Sequence, residues 1–246
     1  MRAVAILLLL SAALLSGCAT VSGPPDPRDP WESYNRSVFE FNDAVDRAVT
    51  KPLARGYKRV TPEFLDNGIT NFFSNLDDIR VALYDVLQLK FDHAARDLGR
   101  VAWNSSVGLF GFIDVASRLD LPKRDEDFGQ VLGYYGVPSG PYFVLPFWGP
   151  STVRDAPSIY VDYLASPTFD YWDEPESWYL LGLNLLDKRA DLLQVEDLAQ
   201  EMSYDRYAFF RDAYLQRREY QIYDGQVPQE EDPLLQELKE LEGQGL

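Results

Sequence analysis

The chain has 246 residues, with 23 Lys+Arg against 39 Asp+Glu for a formal net charge of −16. That balance excludes nucleic acid as a partner and simple electrostatic adsorption to anionic lipid, both of which need a basic footprint. One cysteine excludes any intrachain disulfide, and the length suits one domain with a real core.

At the N-terminus, Met1-Arg2 supplies one positive charge and Ala3 to Leu15 an apolar run of secretory length. Leu15-Ser16-Gly17-Cys18 then resembles the lipobox of bacterial lipoprotein signal peptides. On that reading residues 1–17 are removed and Cys18 becomes the acylated first residue. Several acyl chains there anchor the protein stably, at about 0.8 kcal/mol per buried CH₂. Ala19 comes next, not the Asp that retains such lipoproteins at the inner membrane, so the outer membrane is expected, on its inner, periplasmic leaflet. The alternative, a short N-terminal anchor, conflicts with the segment's length and its ending in small residues. Loss of Arg2 takes the net charge from −16 to −17. Residues 18–28 form a lipidated, Pro-rich spacer.

Helices are expected over most of the remaining chain. Asp29-Pro30-Trp31-Glu32 reads as a helix start with Asp29 as cap, and Trp31, Tyr34, Val38, Phe41 and Val45 give one apolar face. Thr61-Pro62 opens a second helix carrying Leu65, Ile69, Phe72, Phe73 and Leu76. Asn75 is the expected cap of a third with Ile79, Leu83, Val86 and Leu87, and Asp92 of a fourth through Leu98, Val101 and Ser105. Gly108 and Gly111 break the chain before a short helical turn at Asp114. Further helices are expected from Asp155-Ala-Pro157, over Pro175 to Glu196, and over roughly 204–221. Residues 224–246, with seven acids and one lysine, read as a loosely ordered acidic tail.

Between these lies the least ordinary stretch. Phe128 to Val153 runs 26 residues without a charge, FGQVLGYYGVPSGPYFVLPFWGPSTV. It has membrane length, but nine positions are Gly or Pro and seven are aromatic, so it cannot span as a helix. Irregular backbone at membrane depth survives only inside protein or around a wet cavity, which makes this block a candidate lining. The aromatic stripes allow two readings: a soluble helical core, or amphipathic helices lying in a membrane interface. The lipobox and the uncharged block favour the second.

Catalytic signatures are missing. His93 is the single histidine, and Gly136 to Gly140 gives G-x-x-S-G in place of the nucleophile elbow. Asp127-Phe128-Gly129 lacks the rest of a kinase motif set. Asp125-Glu126-Asp127 reads as a solvated acidic run and not a metal site. No enzyme, metal or cofactor is expected.

Several motifs, kept in order, carry a resemblance. Asp29-Pro30-Trp31-Glu32 with Asn35-Arg36, Asn71-Phe72-Phe73-Ser74-Asn75, Gly111-Phe112-Ile113-Asp114, Asp127-Phe128-Gly129-Gln130, Gly140-Pro141-Tyr142, Gly149-Pro150-Ser151, and Arg154-Asp155 together resemble the MlaA (VacJ) family of outer-membrane lipoproteins. Pro138 stands where that family usually has Gly. The resemblance implies a mostly α fold over residues 29–223: a single ring-like domain of amphipathic helices lying in the membrane, with the irregular loop lining a channel. It implies removal of misplaced phospholipids from the outer leaflet and their transfer to a periplasmic carrier, MlaC. Trimeric porins would hold the ring in place. Gly136, Pro138, Gly140 and Pro141 become the candidate channel and hinge loop, and Asn35, Arg36, Asn71, Phe72, Asn75, Arg154 and Asp155 candidate structural or channel positions. A structural lipoprotein bracing porins and a membrane-bound lipid hydrolase remain the alternatives.

Overall fold

A computed structural model describes residues 26–167, 176–193 and 205–228. The expected signal peptide, Cys18, most of the spacer, most of the acidic tail, and the ends of the expected Pro175–Glu196 helix lie outside the described residues.

Helix α1 (Glu32–Val45) runs through a π-turn (Asp46–Thr50) into α2 (Lys51–Val60). Pro52 has no N–H for the carbonyl of Ala48, and the helix widens just before it. Helix α3 (Glu63–Leu87) and α4 (Phe91–Ser106) form an antiparallel pair, joined by a tight turn with Leu89 at φ +61. A 3₁₀ turn (Ala116–Leu119) and the short helix α5 (Phe128–Tyr134) come next. Strands β1 (Tyr142–Leu145) and β2 (Gly149–Thr152) pair antiparallel, with Tyr142 opposite Thr152. The described residues close with α6 (Asp155–Ala165), α7 (Glu176–Asp191) and α8 (Arg206–Ile222).

Four local expectations are corrected. Asp29 does not cap α1, which starts at Glu32; its carboxylate is buried and accepts from Asn35 Nδ2 (2.7 Å) and the Tyr207 hydroxyl. Asn75 caps nothing, because α3 is one continuous 25-residue helix and the Asn75 amide donates across to Ser105 Oγ on α4. Helix α4 begins at Phe91, so Asp92 sits inside its first turn. The uncharged block is not irregular throughout. Asp127 caps α5 by accepting from Gln130 N (2.9 Å), and Tyr142 and Val144 alternate inward as a strand should. Only residues 135–141 remain loop between them.

The expected helices at Pro62 and Asp155 and over roughly 204–221 do form, and the protein is mostly helical. The glycine break is sharp: Leu109, Phe110 and Gly111 are consecutively left-handed, with Gly111 at φ +90. A Cβ there would meet the Asn75 side chain at 2.7 Å, so only glycine lets this loop close onto α3.

Burial is inverted. Among the described residues, 21 polar or charged side chains are buried against 12 apolar ones, while large apolar side chains cover the outside. Trp31, Tyr34 and Phe41 face outward from α1, and its buried residue is Asn35. The apolar core that exists is small: Tyr142, Val144 and Tyr207, with Val38, Phe39, Tyr214 and Leu215 against them. Among the described residues, no helix is long and apolar enough to cross a membrane.

Candidate functional site: an ionic interior and a loop-covered cavity

The interior is held by ions that adjoining helices bring together. Arg100 on α4, 2% exposed, donates from Nε to Asp78 Oδ2 on α3 (3.0 Å) and from Nη1 to Ser117 Oγ (3.0 Å) and the Leu121 carbonyl. Lys123 reaches the other Asp78 oxygen at 2.6 Å. Further along the pair, Arg124 bridges Asp85 on α3 and Asp97 on α4. Gln88 and Lys90 then meet Glu126, at 2.7 and 3.4 Å. Glu126 is buried, which corrects the reading of Asp125-Glu126-Asp127 as a solvated run. Burial raises the pKa of Asp78 despite its two cations, and burial likewise raises Glu126. Asp85 is pushed up to about 8 by burial and by Asp97 beside it. Ions so placed are costly unless paired and hydrogen-bonded, and each charge here has such a partner, while Asp85 holds a proton up to about pH 8.

The motif residues are joints in this frame. Asn35 donates to Asp29 and to the Tyr142 carbonyl (3.1 Å) and accepts from Val144 N (2.9 Å), fixing α1 to β1. Arg36 grips Asp205 with two donors and lies 4.4 Å over the Tyr207 ring. Asn71 donates to the Phe112 carbonyl, while the tip of the Phe112 ring fills the space a Cβ on Gly68 would take. Phe72 packs edge-on to Phe73. The Asn71 and Gly68 contacts with Phe112 hold the glycine loop on α3.

Arg154 and Asp155 form a pair at 2.8 Å at the start of α6. Asp155 also accepts from Tyr214 and Arg218 on α8, and Arg218 spans Asp155 and Asp127 with all three of its nitrogens. Burial alone would raise Asp155, but the Arg218 and Arg154 hydrogen bonds more than offset it, to about 2. The same guanidinium leaves Asp127 lowered against its burial.

Beside this cluster is a cavity of about 590 Å³. Gly136, Pro138, Gly140 and Pro141 all line it, with Arg28, Arg154 and Arg218 in its walls. The loop is tied from one side: Arg154 Nη1 donates to the Val137 carbonyl (3.2 Å), Arg154 N to Ser139 (3.1 Å) and Val153 N to Pro141 (3.1 Å). Gly136 (φ +84) has open space where a Cβ would be, and Gly140 (φ +67) faces Val153. His93 lies 3.9 Å from Asp85. Among the described residues, no group of His, Cys, Asp or Glu is arranged to hold a metal ion.

Sequence reasoning missed Asp78, Asp85, Asp97, Arg100 and Arg218. The signal was present as a polar stripe along α3, with Asn71, Asn75, Asp78 and Asp85 spaced as one helix face. Polar stripes ordinarily point to water. Here they point inward.

An ionic interior within an apolar, aromatic exterior defines a helical protein suited to a lipid surround. The MlaA lipoprotein family model matches residues 27–221. The chain therefore belongs to the MlaA lipoprotein family. It is 34% identical over 242 residues to the Escherichia coli (strain K12) "Intermembrane phospholipid transport system lipoprotein MlaA", covering 95% of this chain and 94% of that protein. The Haemophilus influenzae protein of the same name is 31% identical over 244 residues, covering 95% and 96%. An uncharacterized protein of Rickettsia bellii is 32% identical over 208 residues, covering 84% and 82%. A solved structure, described as "Structural basis for maintenance of bacterial outer membrane lipid asymmetry", superposes with TM-score 0.67 at 32% identity. It covers 79% of this chain and 98% of that one.

Proposed function

We propose that this chain is the outer-membrane lipoprotein of an intermembrane phospholipid transport system. It lies as a ring of helices in the inner leaflet, anchored at Cys18, and withdraws phospholipids misplaced in the outer leaflet. It passes them to a periplasmic carrier of the MlaC kind, with trimeric porins holding it in place. The inverted burial carries this reading. A headgroup crossing hydrocarbon with its charge unpaired is heavily disfavoured, and a polar interior inside an apolar exterior removes that cost. No bond is made or broken, so no catalytic constellation is required. The 136–140 loop is the mobile element of the passage, with Gly136 and Gly140 as hinges; their positive φ values and the loop's place on the cavity support this.

Labelling surface phospholipid with a membrane-impermeant amine reagent tests the reading. A deletion strain should expose more lipid than wild type, and restoring this chain should reverse it. Unchanged labelling on deletion would sink the proposal.

A further inference from the structure

Among the described residues, Arg154 is the one guanidinium in the cavity wall with a buried donor left over. Its side chain is 3% exposed, Nε serves Asp155 and Nη1 serves the Val137 carbonyl, while Nη2 has no partner. Arg218, by contrast, spends Nε, Nη1 and Nη2 on Asp127 and Asp155. A buried donor without an acceptor is disfavoured, and such groups persist where something else completes them. The free nitrogen belongs to a residue lining a cavity of about 590 Å³, the size of a small-molecule site. Arg28 and Arg218 stand in the same wall, with Glu219 as an opposing charge.

We propose that this cavity is a phosphate subsite, in which Arg154 Nη2, closed off from solvent in this structure, donates to a phosphomonoester or phosphodiester oxygen once the 136–140 loop that Nη1 holds shifts. Arginine suits this because its fork is planar, permanently charged and already oriented by the Asp155 pair. Resting on the transport reading above, the occupant is the headgroup phosphate of a glycerophospholipid, with glycerol under the loop and the acyl chains left in surrounding lipid. Arg154 then has two duties. Its backbone and Nη1 hold the loop, and its remaining donor reads the cargo.

The full-length protein in maltoside micelles would be titrated with dihexanoyl phosphatidylglycerol, and separately with inorganic phosphate, following ³¹P line width. Dihexanoylglycerol, which lacks phosphate, would be added as a competitor. Phosphatidylglycerol should bind without being displaced, and Arg154→Gln should bind it about tenfold more weakly or worse. Two exposed wall positions guard against a variant that merely misfolds. Gln216→Glu should weaken binding and Glu219→Gln strengthen it, each about two- to fivefold, the size of one charge some ångströms away in a wet site. Binding indifferent to all three substitutions would overturn the subsite while leaving the transport reading to stand on surface labelling. Inorganic phosphate binding as tightly, with the same variant pattern, would support the site and overturn the lipid as its source. Unchanged labelling in the deletion strain with intact, variant-sensitive binding would remove the transport reading and keep the subsite.

Discussion

Arg100 and Asp78 meet at 3.0 Å between α3 and α4, each almost wholly out of solvent. Breaking a buried pair on one side costs about 3–5 kcal/mol when the other charge is left uncompensated, and less here, because Asp78 keeps Lys123 at 2.6 Å. Arg100→Met should therefore lower the denaturation midpoint in detergent, whereas Arg100→Met with Asp78→Leu should recover part of the loss. A double variant no more stable than the single one would show that the pair is not the source.

Asp85 gives a pH dependence whose sign is fixed by its environment. Burial and Asp97 raise its folded value to about 8, while an unfolded aspartate titrates near about 3.9. Between those values the folded protein keeps a proton that the unfolded chain releases, so this contribution to stability is present in acid and lost as pH climbs towards 8. Thermal midpoints measured from pH 5 to 9 should fall, and Asp85→Asn should flatten that slope. A wild-type midpoint that rises over the range would contradict the assignment.

Asn35 satisfies a buried carboxylate, a carbonyl and an amide at once. Asn35→Ala strands Val144 N and part of Asp29, at a cost of about 1–3 kcal/mol for each unpaired group. Asn35→Leu should do no better, since the loss is of hydrogen bonds and not of volume; denaturant midpoints for the two variants would decide.

Two glycines should respond for different reasons. A Cβ on Gly68 would enter the Phe112 ring at 2.0 Å, so Gly68→Ala should destabilise by about 1–3 kcal/mol through overpacking. Gly136→Ala meets nothing and carries only the left-handed strain, about 1–2 kcal/mol. The combined Gly136→Ala, Gly140→Ala variant should raise surface phospholipid while protein abundance stays unchanged. Normal asymmetry in that strain would remove the hinge role from the loop.

Local rules read the helix starts at Pro62 and Asp155 well, because a proline or an early acid favours a helix start whatever else the side chain does. They failed wherever a cap-like side chain had a distant partner. Asp29 and Asn75 both have the chemistry of caps, and both are engaged across the fold, with Tyr207 and Ser105. The direction of the faces was the larger gap. Trp31, Tyr34 and Phe41 mark a helix stripe equally well whether it faces protein or lipid, and only the packing shows that Asn35 points in. The loop lining the cavity was legible from its Gly and Pro content, whereas the arginines behind it come from distant parts of the chain, Arg28 near its start and Arg218 on α8.

The pairing pattern also bears on the order of assembly. Asp127 depends on Arg218, Asp29 on Arg211, and Asp46 on Arg189, each cation arriving long after its anion during synthesis. Until α7 and α8 have emerged, the N-terminal half holds carboxylates destined for the interior with nothing to neutralise them. A fragment ending before Arg206 lacks the partners of Asp29 and Asp127, and among the described residues the last helix completes the first.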